Sequence, residues 1–182
     1  HNGDDTLKFS KRYLNGTVYT FEPDPRLTQY LIGKFAKFEN IKFYPKAIYS
    51  DTRSMVFNLA KAENWDTFKS TGSSSLLDYT EDSTKKFHKT ARVDAISLNE
   101  IQPLQENEID VIWIDVQGAE RIIIDSHEAI FQKSKIIWIE YGESDYSDYY
   151  TRSEIINQFR STHTASAFSN RGERGNLLLV RI

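Results

Sequence analysis

The sequence predicts an α/β fold: a mostly parallel sheet flanked by helices, closed by an antiparallel hairpin at the carboxyl end. Three observations predict it. Residues 109–114 and 135–139 are short apolar runs rich in Ile, Val and Trp, with helix-compatible residues 118–132 between them, which makes a β-α-β unit. Upstream of that unit, helical and strand-like patterns alternate. Downstream, two strand-like stretches flank the polar loop Arg171-Gly172-Glu173-Arg174-Gly175, the pattern of a terminal hairpin.

Taken in order, Asp4 or Asp5 can cap a first helix with Leu7, Ser10 and Leu14 along one side, and Asn15-Gly16 supplies its stop. TVYTFE, residues 17–22, is β-branched and aromatic, a strand whose last residue is Glu22. Asp24-Pro25 reads as an N-cap followed by proline at the first helical position. Leu27, Tyr30, Leu31, Lys34, Phe35 and Phe38 then fall near one helical face. Residues 41–48 form a third strand, interrupted or placed at an edge by Pro45. Residues 55–60 and 92–98 are further short strands. Between them, residues 69–89 carry Gly72, three serines and a mixed-charge run, an excursion that reads equally as a lid or as a solvated connector.

The central unit is expected to consist of parallel strands covered on both faces. Because side chains alternate along a strand, Trp113 shares a face with Asp115, and Trp138 with Glu140. The two carboxylates can therefore meet at one rim, beyond the carboxyl ends of the strands, where open α/β sheets place their ligands. YGESDYSDYYTR follows, dense in tyrosine and acid, then a short helix with Ile155, Ile156 and Phe159 inward.

Composition narrows the field. The 182 residues, 39% hydrophobic and 13% aromatic, suffice for one domain with a real core and leave no room for a second full one. A net charge of -3 lacks the basic excess that nucleic-acid binding needs. No run approaches the ~18 to 20 apolar residues of a membrane span, so a soluble, cytoplasmic chain is expected. The absence of cysteine rules out disulfides and thiolate metal sites. His88, His127 and His163 have no metal-like spacing and read as surface residues.

Four stretches in chain order resemble one family. HNGDDTLKF resembles the tail of the glycine motif after the first strand of S-adenosylmethionine-dependent methyltransferases; TVYTFEPDP resembles their acidic second-strand end. IDVIWIDVQGAE and KIIWIEYG resemble their fourth and fifth strands, and the wording as a whole is similar to the FkbM group. Gln117 stands where the group usually has Glu. The family's first strand and first glycine would lie before His1, so the resemblance implies a single methyltransferase-like domain over 1–182, truncated at its amino end or part of a longer chain.

The resemblance implies a Rossmann-like class I methyltransferase sheet and an O-methyltransferase acting on a hydroxyl of a sugar, a glycan or a glycosylated small molecule. S-adenosylmethionine would be held by Asn2, Gly3, Glu22, Asp51 and Asp115. Gly3 alone reads as a turn glycine, and Asp51 as a turn former. Glu22 can accept hydrogen bonds from ribose hydroxyls, since Asp24 already fills the cap position. Asp115 and Glu140 are the catalytic candidates, either with Asp115 as general base or with both holding a divalent cation such as magnesium or manganese. Asp115 could instead cap the following helix, and Glu120 reads as a partner of that helix's dipole. Tyr141, Glu143 and Tyr146 are the candidate acceptor-binding residues, with Tyr149, Tyr150, Asp145 and Asp148 close by in sequence; Tyr149-Tyr150 could instead be partly core, and Glu143 and Asp145 are within reach by chain length as a third cation ligand. Two rivals stand beside this reading. One is a non-catalytic recognition or scaffold domain of a larger glycan-assembly protein. The other is a nucleotide-cofactor oxidoreductase, which the absence of GxGxxG weakens.

Overall fold

The computed structural model describes residues 1–60, 72–83, 86–142, 146, 148–171 and 174–182, and only the backbone at 167–171. It is a mixed α/β structure with two compact units: His1–Ser74 with Phe87–Ile96, and Ser75–Lys86 with Ser97–Ile182.

The first unit holds α1 (Asp4–Arg12), β1 (Val18–Phe21), α2 (Thr28–Phe35), β2 (Ile41–Tyr44), β3 (Ala47–Ile48), β4 (Arg53–Leu59) and β5 (Lys89–Ile96). Strands β1 and β2 pair in parallel from Val18 opposite Ile41 to Phe21 opposite Tyr44. Pro45 breaks the third predicted strand as expected, because proline offers no amide to a ladder. The piece beyond it, β3, joins a separate sheet of order β3-β5-β4, parallel to β5, which is antiparallel to β4. Leu27, Leu31 and Phe35, spaced four apart, bury one face of α2 with Ile41, and Leu7, Val18, Phe38 and Phe43 pack around them. Leu14 departs from expectation: α1 ends at Arg12, so Leu14 lies beyond the helix and is exposed. Ser10 is buried, its hydroxyl donating to Asn40 Oδ1 at 2.6 Å.

The second unit holds α3 (Gln102–Glu106), β6 (Val111–Ile114), α4 (Glu120–Ser126), α5 (Glu128–Gln132), β7 (Ile136–Tyr141), α6 (Arg152–Phe159), β8 (His163–Arg171) and β9 (Arg174–Arg181). Its sheet has the order β6-β7-β9-β8: β6 and β7 are parallel, while β9 runs antiparallel to both of its neighbours. The predicted hairpin is thus present, with a bulge between Ala167 and Ser169. Ile137, Ile139, Leu177 and Leu179 are wholly buried, joined in the core by Ile123, Ile124, Ile130 and Phe131 of α4 and α5 and by Ile155 and Phe159 of α6. Thr151 and Glu154 form a capping box that starts α6.

Three expectations are corrected here. The parallel strands are not covered on both faces: β7 alternates half-buried with buried residues, and Trp113 is 49% exposed, stacked at 5.1 Å on Trp138. The helix expected over 118–132 is two helices parted at His127. That imidazole is buried, not on the surface; Nδ1 donates to the Ile123 carbonyl and Nε2 accepts from the Leu98 amide and the Ser97 hydroxyl. His163 is buried too, bonded to the Ser134 carbonyl. Burial holds both imidazoles below the ordinary histidine value. The excursion expected over 69–89 falls partly outside the described residues, at 69–71 and 84–85. Its described part puts Tyr79 in a bridge and ring stack with Tyr146.

Candidate functional site

In the first unit, the amino-terminal turn and the end of β1 lie side by side. Gly3 takes a left-handed conformation, φ 77°, just before α1. A Cβ there would meet Phe35 Cζ at 2.6 Å and Leu31 Cδ2 at 2.8 Å, so the glycine lets the turn settle against α2. Neither Asp4 nor Asp5 caps α1: the N-cap is Gly3 with no side-chain cap bond, and Asn2 Oδ1 accepts from the Asp4 amide in the turn before it. The main-chain nitrogen of His1 lies 2.6 Å from Glu22 Oε2, which brings together two of the stretches that carry the family resemblance.

Glu22 has a local task that the sequence reading denied it. Its Oε1 accepts from the Asp24 amide at 2.8 Å. Asp24 is buried and faces Arg26, whose Nε contacts both carboxylate oxygens and whose Nη2 lies 2.6 Å from Oδ2. Arg26 also donates to the Ala60 carbonyl and the Ser74 hydroxyl. Asp24 therefore anchors a turn, and α2 begins only at Thr28. A carboxylate has about four acceptor positions, so Glu22 retains capacity for hydroxyl donors. Asp51 lies in the turn before β4, paired with Arg53 at 3.1 Å and accepting from the Ser50 hydroxyl, which matches its turn-former reading.

In the second unit, Asp115 and Glu140 do converge. Gln117 Nε2 donates to Asp115 Oδ1 at 2.6 Å and to Glu140 Oε2 at 3.4 Å. Gln117 has φ 55°, a left-handed conformation uncommon for a residue with a side chain, and Gly118 follows at φ 98°. Several tethers fix this loop. The buried Ser75 hydroxyl donates to the Gln117 carbonyl at 2.7 Å. Glu120 accepts from the Val116 and Gly118 amides at 2.8 and 2.9 Å. A Cβ on Gly118 would meet Tyr146 Cγ at 2.6 Å and Cβ at 2.7 Å.

Glu120 is accordingly more than a dipole partner. It is buried within the loop, and that burial lifts its carboxyl to about 7 against the pull of the amides it accepts from, with the nearby Asp115 charge pushing the same way as burial. Sequence gave a faint signal: a glutamate two residues past a glycine can fold back on the turn that precedes its helix. Asp115 does not cap that helix, since the N-cap is Ala119 with no side-chain bond.

The tyrosines expected to stack on an acceptor are core residues. Tyr141 and Tyr146 are 2% and 1% exposed, so neither offers a ring face to solvent; the Tyr141 hydroxyl is buried without a hydrogen-bond partner. Tyr150 is also buried, bonded to Asp125 and Gln158, with Arg121 over its ring. Arg121 further ties Asp148 and Glu154. Glu143 and Asp145 lie outside the described residues. Among the described residues no group of three or more His, Asp or Glu side chains could hold a metal ion. Between Asp115 and Glu140 the Gln117 side chain presents an amide N–H. No helix among the described residues is long and apolar enough to cross a membrane.

Comparison with known proteins agrees with the stretches quoted above. The family description "Methyltransferase FkbM domain" matches residues 1–167. A "2-O-methyltransferase NoeI" of Sinorhizobium fredii (strain NBRC 101917 / NGR234) is 24% identical over 187 aligned residues, covering 98% of this chain and 75% of that protein. No solved structure matches.

Proposed function

We infer, from the premise that this chain belongs to the FkbM family of methyltransferases, that it is an S-adenosylmethionine-dependent O-methyltransferase whose acceptor is a sugar or glycan hydroxyl. The observation that carries the donor half is Glu22, a half-buried carboxylate closing β1 with its Oε2 against the amino-terminal turn. The acceptor half leans on the relative whose name specifies 2-O-methylation. In this reading 1–182 is a single domain of the Rossmann-like class I methyltransferase kind.

Bound S-adenosylmethionine supplies a methyl group activated by a sulfonium. Glu22 would accept from the ribose hydroxyls of that donor, and Asn2 and Gly3 would lie beside it in the amino-terminal turn. Asp115, exposed at the end of β6, would accept the proton of the acceptor hydroxyl during transfer, in which an oxygen–carbon bond forms while the sulfonium carbon–sulfur bond breaks to leave a neutral thioether; a carboxylate is too weak a base to remove the proton beforehand. Gln117 holds Asp115, and its amide also reaches Glu140. Alignment of donor and acceptor is the main catalytic burden, worth several kcal/mol in such displacements (about 7–11 in favourable cases).

Calorimetry with S-adenosylhomocysteine tests the reading. Glu22→Ala should weaken binding by about tenfold to a hundredfold, the range for hydrogen bonds to a charged group, with the far-ultraviolet spectrum unchanged. Equal affinity in the two proteins would remove Glu22 from the donor site. Full-length protein that binds glycan but gives no heat with S-adenosylhomocysteine would favour the recognition-module alternative.

A further inference from the structure

We propose that Gln117 is the positioning residue of the carboxylate pair, its amide N–H groups doing for Asp115 and Glu140 what a shared divalent cation would otherwise do. The proposal rests on the reading of Asp115 as the proton acceptor, but the tie itself stands on geometry alone.

Two carboxylates are acceptors only when ionised, and side by side they repel. Something with positive character must stand between them. The Gln117 amide does: Nε2 is 2.6 Å from Asp115 Oδ1 and 3.4 Å from Glu140 Oε2, and an amide nitrogen has two hydrogens to give. Carboxylates cannot donate, so the nitrogen and not the oxygen must face them.

The backbone is arranged to deliver that amide. A left-handed residue with a Cβ costs on the order of 1–3 kcal/mol and persists where its surroundings over-determine it. At Gln117 they do, through independent groups. Ser75 holds its carbonyl, Glu120 holds the amides on both sides at Val116 and Gly118, and the Tyr146 ring closes against Gly118. Glycine or asparagine would sit at φ 55° with less strain. A glutamine there is explained by what its side chain reaches.

The test separates the tie from the activity. Manganese is titrated by electron paramagnetic resonance into the whole chain and into Gln117→Glu, whose third carboxylate would complete an oxygen cluster. The unsubstituted protein should leave the free-ion signal unchanged into the millimolar range, while Gln117→Glu binds at least about tenfold more tightly, as added ligand charge predicts. Manganese binding as tight in the unsubstituted protein, or none in Gln117→Glu, overturns the proposal. Gln117→Gly, which relieves the backbone and should melt no lower, then removes the amide alone. Turnover on a panel of mono- and disaccharides should fall about tenfold or more, with KM for S-adenosylmethionine within about twofold, and the loss should vanish in an Asp115→Asn background. Undiminished turnover in Gln117→Gly, or an equal loss without Asp115, also overturns it. If no methyl transfer occurs at all, the function fails and the manganese comparison still decides the role of Gln117.

Discussion

Two turns, one in each unit, carry the residues that matter most, and they are held in different ways. The turn at Gly3 rests on the far ends of two side chains, Phe35 Cζ and Leu31 Cδ2, with half-buried Asn2 accepting from the Asp4 amide and Lys34 donating to the Asn2 carbonyl and to Asp4. The turn at Gln117–Gly118 rests on the Cβ and Cγ of Tyr146, atoms that cannot move without their backbone, and on the buried Ser75 and Glu120. Both have a glycine in the left-handed region, yet the first is met by side-chain tips and the second by atoms next to a backbone. A turn expected to meet a mobile donor can yield, whereas a loop expected to aim a carboxylate within fractions of an ångström cannot.

The sharpest way to break this contrast is to place a methyl group at each glycine. Gly118→Ala should cost about 4 kcal/mol, combining strain at positive φ with overpacking against Tyr146. Gly3→Ala should cost about 2 kcal/mol, because the Phe35 and Leu31 tips can shift. Thermal melts of both variants check it, and equal losses would erase the distinction.

Next in size is a pH effect at the second turn. Folded, Glu120 titrates at about 7; its ordinary value is 4.5. Between those values the folded state holds more protons than the unfolded one, so this residue's contribution to stability falls as pH rises through the window, by on the order of 3 kcal/mol. The buried imidazoles of His127 and His163 run the opposite way: their folded values are depressed, so their contribution is present above 6.5 and is lost as pH falls. Comparison with Glu120→Gln isolates the carboxyl, and the melting-temperature gap between it and the unsubstituted protein should narrow from pH 4.5 to 7. A gap constant with pH would return Glu120 to an ordinary acid.

The smallest contrast concerns the polar tethers. Ser75→Ala strands the Gln117 carbonyl and should cost about 1–2 kcal/mol, while Asn2→Ala, which removes one hydrogen bond to the Asp4 amide, should cost about 0.5–1 kcal/mol. Urea unfolding with matched slopes measures the difference.

Much of this arrangement was legible from local pattern. The apolar runs gave β6 and β7, the leucine–phenylalanine spacing gave α2, Pro45 gave the break, and the glycine-rich loop gave the hairpin. The convergence of Asp115 and Glu140 followed from alternation and parallel register, since Trp113 lies opposite Trp138. What local pattern could not reach depends on partners far along the chain. His127 reads as a surface residue until Leu98 and Ser97 arrive to satisfy its nitrogen, and the split between α4 and α5 follows from the same contacts. The tyrosines read as an acceptor surface because aromatic and acidic residues alternate there. Only tertiary packing sends Tyr141 and Tyr146 inward, while the core alternative for Tyr150 holds. Gln117 looked like a lost charge, and its meaning lies in a backbone angle that no residue type announces.

The route of the polypeptide limits how this protein can be taken apart. It leaves the first unit after Ser74, returns at Phe87 and leaves again after Ile96. No single truncation therefore yields either half intact. A fragment ending at Ile96 keeps Ser75 but discards the carbonyl it serves, and one beginning at Ser97 keeps that carbonyl while losing both Ser75 and the Tyr79 partner of Tyr146. Splitting the molecule for study requires transplanting residues 75–86 along with the carboxyl-terminal piece.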